Sequence, residues 1–334
     1  MPERHASNVG VNLKRWIARV ALGLLGLVAL ALICGATYEA LARKRFASRL
    51  SSSGTLVDIG GRSLQLDCRG TGSPTIVFET GLGSMGALDW ALVHDELART
   101  SRACSYSRAG ILASDPGVGV RDANAVAEDL HALLTRAGEH APLVFVAHSL
   151  GGLFALTYTR KFGSEVAGLV LVDTLHPDSI RSMEAAGLHV PLPLRQLQIA
   201  SAISWTGLVR VLLDAPEEDV SYEIASLAGM RAELEALDQS LAQAGELRQL
   251  GSRPVYVLSA GQVEKELLIQ AQFTAEQGNE FLAIKQRLND EQASWSSHHQ
   301  HEVVADSMHG IQWQRPDRVI HATGWVVDAV RTGQ

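Results

Sequence analysis

Leu143-Val144-Phe145-Val146-Ala147-His148-Ser149-Leu150-Gly151-Gly152 is the stretch that decides the fold. Its first half is an unbroken apolar run rich in β-branched residues, the pattern of a strand buried on both faces. Gly151-Gly152 then open Leu153-Phe154-Ala155-Leu156-Thr157-Tyr158, an amphipathic run that reads as a helix. Ser149 falls on the turn between them. A tight strand-to-helix turn with small flanking residues lifts a serine hydroxyl clear of the sheet, as in the G-x-S-x-G nucleophile elbow. Here Ala147 replaces the first glycine. Small residues around a serine also occur in structural turns, so the meaning of this one depends on what else the chain supplies.

Upstream, Thr55 to Ile59 and Arg62 to Cys68 predict two strands around a Gly60-Gly61 turn, a hairpin signal. A third strand, Thr75-Ile76-Val77-Phe78-Glu79, runs into Thr80-Gly81-Leu82-Gly83-Ser84, and a fourth, Arg102 to Tyr106, ends at Ser107-Arg108-Ala109-Gly110. Val126, Leu130, Leu133 and Leu134 share one helical face, with Gly138 as the stop. Downstream, Val166 to Asp173, Pro254 to Ser259 and Glu302 to Asp306 predict further strands. Strands alternating with helices argue for a mostly parallel sheet with helices on both faces. Between Pro177 and Gly251 strand signals vanish and helical ones take over, so residues 177–250 read as a helical cap. Its apolar segment Ile203 to Leu213 is expected to pack on the main domain.

Residues 1–49 carry eight Lys/Arg against two Glu, which leaves a net −13 on the rest of a chain whose total is −7. A body that acidic argues against a nucleic-acid partner. Val20 to Tyr38 hold no charge and approach the ~20 residues a spanning helix needs. Residues 1–19 then read as a basic tail, 20–38 as a transmembrane helix and 39–54 as a linker. The rival is a secretory signal cleaved at Ala40-Leu41-Ala42, but the run exceeds the ~7–15 residues of a signal core. Ile33 before Cys34 argues against a lipoprotein. Orientation is nearly tied, with Arg4, Lys14, Arg15 and Arg19 ahead of the span and Arg43, Lys44, Arg45 and Arg49 behind it.

Taken together, Glu79-Thr80-Gly81-Leu82-Gly83-Ser84, Tyr106-Ser107-Arg108-Ala109-Gly110, the elbow, Leu171-Val172-Asp173 with His176-Pro177-Asp178, and Ser307-Met308-His309-Gly310-Ile311 make residues 55 to 330 resemble an α/β-hydrolase. The layout is similar to a branch of membrane-anchored or exported bacterial serine hydrolases. The resemblance implies a core of residues 55–176 and 251–334 beneath the cap. Two positions depart from it: Ala147 at the elbow, and Ser107 where the family commonly has Asp.

A free serine is a poor nucleophile, so acyl transfer needs a base beside Ser149. In the chain order serine, acid, histidine, His309 follows the last strand and fits the base. His148, next to the nucleophile, is expected to line the pocket. His298, His299 and His301 suggest metal but lack a ligand spacing, and read as a solvated loop before the last strand. The acid must reach the far imidazole nitrogen. Asp173 at the end of a rigid strand is preferred, Glu264 after the next strand is the alternative, and Asp178 is a weaker third. The Leu150 N–H and, by the resemblance, the Leu82 N–H are the oxyanion donors, with the dipole of the helix opening at Gly151 behind them. Gly81-Leu82-Gly83 lacks the G-K-[ST] ending of a phosphate loop.

A serine at the elbow excludes relatives that attack with aspartate. The expected function is thus a carboxylesterase-like serine hydrolase acting on a small-molecule ester, thioester, amide or lactone, with no cofactor and no metal. The alternative is a catalytically silent, membrane-tethered binding protein of the same fold. The resemblance also sets the second and fourth strands side by side, which implies a Cys68–Cys104 disulfide and a catalytic domain outside the cytoplasm, anchored or, alternatively, secreted after signal cleavage.

Overall fold

The structure, a computed structural model, describes residues 5–50 and 54–333, with side chains from residue 13 onward. Arg4 of the expected basic tail and Ser51-Ser52-Ser53 of the expected linker lie outside the described residues. Among those described, eight strands form one sheet: β1 (Thr55–Asp58), β2 (Ser63–Arg69), β3 (Thr75–Glu79), β4 (Arg102–Ser107), β5 (Leu143–His148), β6 (Val166–Val172), β7 (Val255–Ala260) and β8 (His299–Val304). Helix α1 (His5–Leu50) precedes the sheet, while α2 (Ala91–Leu97), α3 (Ala123–Ala137) and α4 (Gly151–Lys161) connect β3 to β6 in turn. Between β6 and β7 lie α5 (Ser179–Ala185), α6 (Leu194–Ile203), α7 (Leu208–Leu212), α8 (Glu217–Glu235) and α9 (Leu237–Ala244). α10 (Lys265–Gln270) and α11 (Ala275–Ala293) separate β7 from β8, and α12 (Ile311–Gln314) and α13 (Pro316–Thr332) end the chain.

The strand order is β1-β2-β4-β3-β5-β6-β7-β8. β1, β2 and β4 pair antiparallel, and all later pairs are parallel. Central β5 accounts for its own composition. Leu143, Phe145 and Ala147 enter the core shared with α3 and α4, and Val144 and Val146 enter the core shared with α2 and α13. A strand covered on both faces has no polar side to show. Helix α3 stops as expected at Gly138, φ 76°, and its start is capped by the Asp122 carboxylate, which accepts from the Ala125 N–H at 3.0 Å. Cys68 and Cys104 face each other across β2 and β4 and are joined by a disulfide.

Three expectations are corrected. Helix α1 does not give way to a linker at residue 39 but continues to Leu50. Residues 36–50 contain no Gly or Pro, and Phe46 and Leu50 are buried in a cluster with Val209, Val220 and Ile224 of the cap, which holds the last turns. The last strand begins at His299, three residues earlier than expected, and His299 and His301 belong to it rather than to a loop. As an edge strand with one free side, β8 carries polar residues that hide its strand character in the sequence. Finally, the cover over the sheet's carboxyl edge is shared: α10 and α11 lie there as well as the expected cap. The stretch from Leu13 to Leu50 includes an 18-residue window of mean hydropathy 2.5, none of it buried, long and apolar enough to cross a membrane, a description a signal sequence also meets.

Candidate active site

The turn between β5 and α4 holds Ser149 at φ 53°, a left-handed conformation that costs a non-glycine residue about 1–3 kcal/mol. The strain follows from packing. A Cβ on Gly151 would stand 2.5 Å from the Glu79 carbonyl oxygen, so only glycine lets α4 begin this close to β3. Ala147, by contrast, is fully buried in the core, where its methyl is accommodated in place of the expected glycine.

Ser149, His309 and Asp173 meet at the carboxyl edge of β5, β6 and β8. The Ser149 hydroxyl donates to His309 Nε2 at 2.9 Å, and His309 Nδ1–H donates to Asp173 Oδ2 at 2.5 Å. Asp173, at φ 44° and 1% exposed, also accepts the Ala260 N–H on Oδ1 at 3.1 Å. Lys285 Nζ lies 2.5 Å from the same Oδ2 that takes His309. Burial alone would raise the Asp173 carboxyl, but the Lys285 ammonium and the His309 bond outweigh it and hold the group well below the usual carboxylate range. Asp173 is therefore the ionised partner of the pair near neutral pH.

Glu264 lines the neighbouring cavity at the start of α10 and makes no contact with His309 among the described residues. Asp178 is committed to Arg181 and Arg248. Contrary to the expectation that it lines the pocket, His148 is not among the residues around the cavity but sits buried against the His309 loop. Its Nε2–H donates to the His309 carbonyl at 3.1 Å and its Nδ1 accepts from Gln312 Nε2 at 3.1 Å. Burial and the nearby His309 push its pKa down to about 3, so it is a neutral strut. Neither the Leu150 N–H, directly after Ser149, nor the Leu82 N–H has a hydrogen-bond partner among the described residues.

The loop carrying Leu82 is gripped from below by Arg108. Its Nη1 donates to the Glu79 carboxylate at 2.8 Å and to the Thr80 carbonyl at 2.5 Å, and its Nη2 donates to the Gly81 carbonyl at 2.8 Å. The remaining bonds form a fork on Glu233 of α8, at 2.7 and 2.8 Å. All five donors of one buried guanidinium are used. Burial raises Glu79 to about 7 against the pull of Arg108.

Beside Ser149 and His309 opens a cavity of about 490 Å³ lined mainly by apolar side chains, among them Met183, Leu188, Leu267 and Phe281. That is the size and polarity of a small-molecule site. His176, Asp178 and Glu291 also gather, but Arg248 already neutralises both carboxylates. His176 Nδ1 accepts the Asp178 N–H, so its proton sits on Nε2 and leaves no lone pair for a cation. Of the functional side chains, Lys285, Gln312 and the Arg108–Glu233 pair were missed in the sequence. Each is separated from its partner by more than 100 residues, and no local pattern marks such pairs.

Residues 74–204 match the family described as alpha/beta hydrolase fold. The chain is 23% identical over 199 residues to the uncharacterized protein YbdG of Bacillus subtilis, 59% of this chain and 61% of that one. It is 37% identical over 127 residues to the probable transporter efuK of Hormonema carpetanum, 36% of this chain and 18% of that one. The chain thus spans less than two thirds of the length of either relative. Among solved structures, it resembles a thermophilic esterase from Thermogutta terrifontis with a TM-score of 0.59 at 22% identity, covering 83% of this chain and 98% of that one. An enol-lactonase from Burkholderia xenovorans gives 0.57 at 16% identity, covering 82% and 100%. At such identities the likeness establishes the fold alone.

Proposed function

From the match of residues 74–204 to the alpha/beta hydrolase fold family and the shared fold, we propose that the chain is a serine hydrolase that cleaves a small ester, thioester, amide or lactone through an acyl-enzyme on Ser149. The observation that carries this reading is the continuous line of hydrogen bonds from Ser149 through His309 to a carboxylate that stays ionised.

In this mechanism the Ser149 Oγ attacks the substrate carbonyl as His309 Nε2 takes its proton. Asp173 holds the imidazole with its proton on Nδ1 and stabilises the cation that forms. The Leu150 and Leu82 N–H groups, unpartnered and supported by the amino end of α4, receive the oxyanion. His309 then protonates the leaving group, and water activated by the same imidazole releases the acid. The apolar cavity takes the acyl or leaving portion, and the esterase and lactonase named above make carbonyl–oxygen esters the first substrates to try.

The same proposal includes an uncleaved α1 anchor and a catalytic domain outside the cytoplasm. Removing residues 1–42 would strip the buried Arg210 of Glu39, which accepts its Nε–H at 2.9 Å, and the Cys68–Cys104 disulfide suits an oxidising compartment. The enzyme reading is tested by hydrolysis of short-chain aryl esters by the full chain. Turnover is expected in the native protein and background in Ser149→Ala. Equal rates in the two would dispose of it.

A further inference from the structure

The stretch from Trp205 to Leu213 presents several exposed apolar side chains. Val209 and Arg210 point inward and are buried, whereas Trp205, Leu208, Val211 and Leu212 are 47–78% exposed. Leu208, Val211 and Leu212 share one face of α7, and Trp205 stands on the short turn before it, across left-handed Gly207. The expectation that this segment packs on the main domain holds only for its inner side, which meets α1 and α8.

Its place along α1 identifies its surroundings. A Cβ on Gly35 would stand 2.1 Å from the Thr206 carbonyl oxygen, so the two backbones touch there. One turn later buried Glu39 takes Arg210, and Arg43 donates to Ser204 Oγ at 3.0 Å. The uncharged run of α1 ends at Tyr38. At ~1.5 Å per residue, the ridge meets α1 about 5 Å inside the end of that run. Both chains then turn charged together: Arg43, Lys44 and Arg45 on α1, and exposed Asp214, Glu217, Glu218 and Asp219 after the ridge. The exposed apolar surface of α1 thus continues onto the ridge and stops at one level.

We infer that the Trp205–Leu213 ridge inserts into the hydrocarbon boundary of the bilayer that α1 spans, which seats the cap on the membrane at a second point. This rests on α1 being an uncleaved anchor. The seat bears on the site, because Arg210 also donates to Glu217 and Ser221 of α8 at 2.7 and 2.9 Å, and α8 carries the Glu233 that holds Arg108.

The test uses the full chain with Cys34→Ser in phosphatidylcholine vesicles, with one nitroxide at a time introduced through Leu27→Cys, Val211→Cys or Val118→Cys. Accessibility to dissolved oxygen against a water-soluble nickel chelate reads depth. Position 27 is expected near the bilayer centre and position 211 about 5–10 Å below the headgroups. Position 118, which is 79% exposed, is expected in water, with at least ten times the chelate access of position 211. Chelate access at 211 equal to that at 118, with 27 in the bilayer, overturns the seat and leaves the anchor standing. Position 27 in water removes both. Spin–spin broadening between labels at 211, without oxygen access, assigns the ridge to a second copy of the chain and also overturns the seat.

Discussion

Asp173 holds two donors on one oxygen, His309 and Lys285, and this sets how the site responds to single changes. Asp173→Asn loses the charge that orients the imidazole, and kcat is expected to fall about 10³–10⁴-fold. Glu264→Gln, on the cavity wall, is expected to change kcat by less than about threefold, because it leaves the relay intact. Steady-state kinetics on the two variants separates the carboxylates. Lys285→Met removes a fixed positive charge that opposes proton uptake by the site, so the acid limb of the kcat/KM profile is expected to move to higher pH, by on the order of one unit. An unmoved limb would make Lys285 a bystander. Ser149 and His309 were legible as candidates because each sits in a short local pattern at a strand end, and the structure places them within hydrogen-bond distance. Among the three candidate acids, Asp173 and Glu264 were hard to rank because both follow strands of the same sheet edge, and only the three-dimensional reach of His309 separates them. Lys285 left no trace, since a lysine on a polar helix 112 residues from Asp173 looks like any solvated one.

At the level of elements, Arg108 ties β3, the loop carrying Leu82 and cap helix α8 into one buried unit. Arg108→Met leaves two carboxylates buried without their cation and is expected to destabilise the fold by about 3–5 kcal/mol, measured by denaturant unfolding in detergent. Glu79 gives this unit a pH signature. Its carboxyl is raised from an ordinary 4.5 to about 7, so between those values the folded chain holds a proton that the unfolded chain has released. Stability contributed by that proton is present at low pH and falls as pH rises through the window. Glu79→Gln is expected to flatten Tm against pH there, and a wild-type slope in the variant would refute the assignment. The apolar run of β5 and the Gly138 stop of α3 were readable because burial on two faces and a left-handed helix end each impose a residue type. The start of β8 was not, because an edge strand tolerates His299, Gln300 and His301 where a central strand would not.

Over the whole molecule, the sheet order brings Cys68 to Cys104 and leaves the acidic body hung from a helix that runs unbroken from the apolar segment into the cap. The fold class followed from the rhythm of strands and helices, which is a property of the entire chain and survives local errors. The union of α1 with the cap did not, since the buried Glu39–Arg210 pair spans 171 residues and the serine-rich stretch after Leu50 resembles a boundary. All of these parts converge on one hydroxyl. The most direct measurement is peptide mass spectrometry of the full chain after exposure to a fluorophosphonate. A single adduct on Ser149, greatly slowed by His309→Ala and absent from Ser149→Ala, is the predicted result. An unmodified Ser149 in native protein, with no ester turnover above the Ser149→Ala level, would contradict the account.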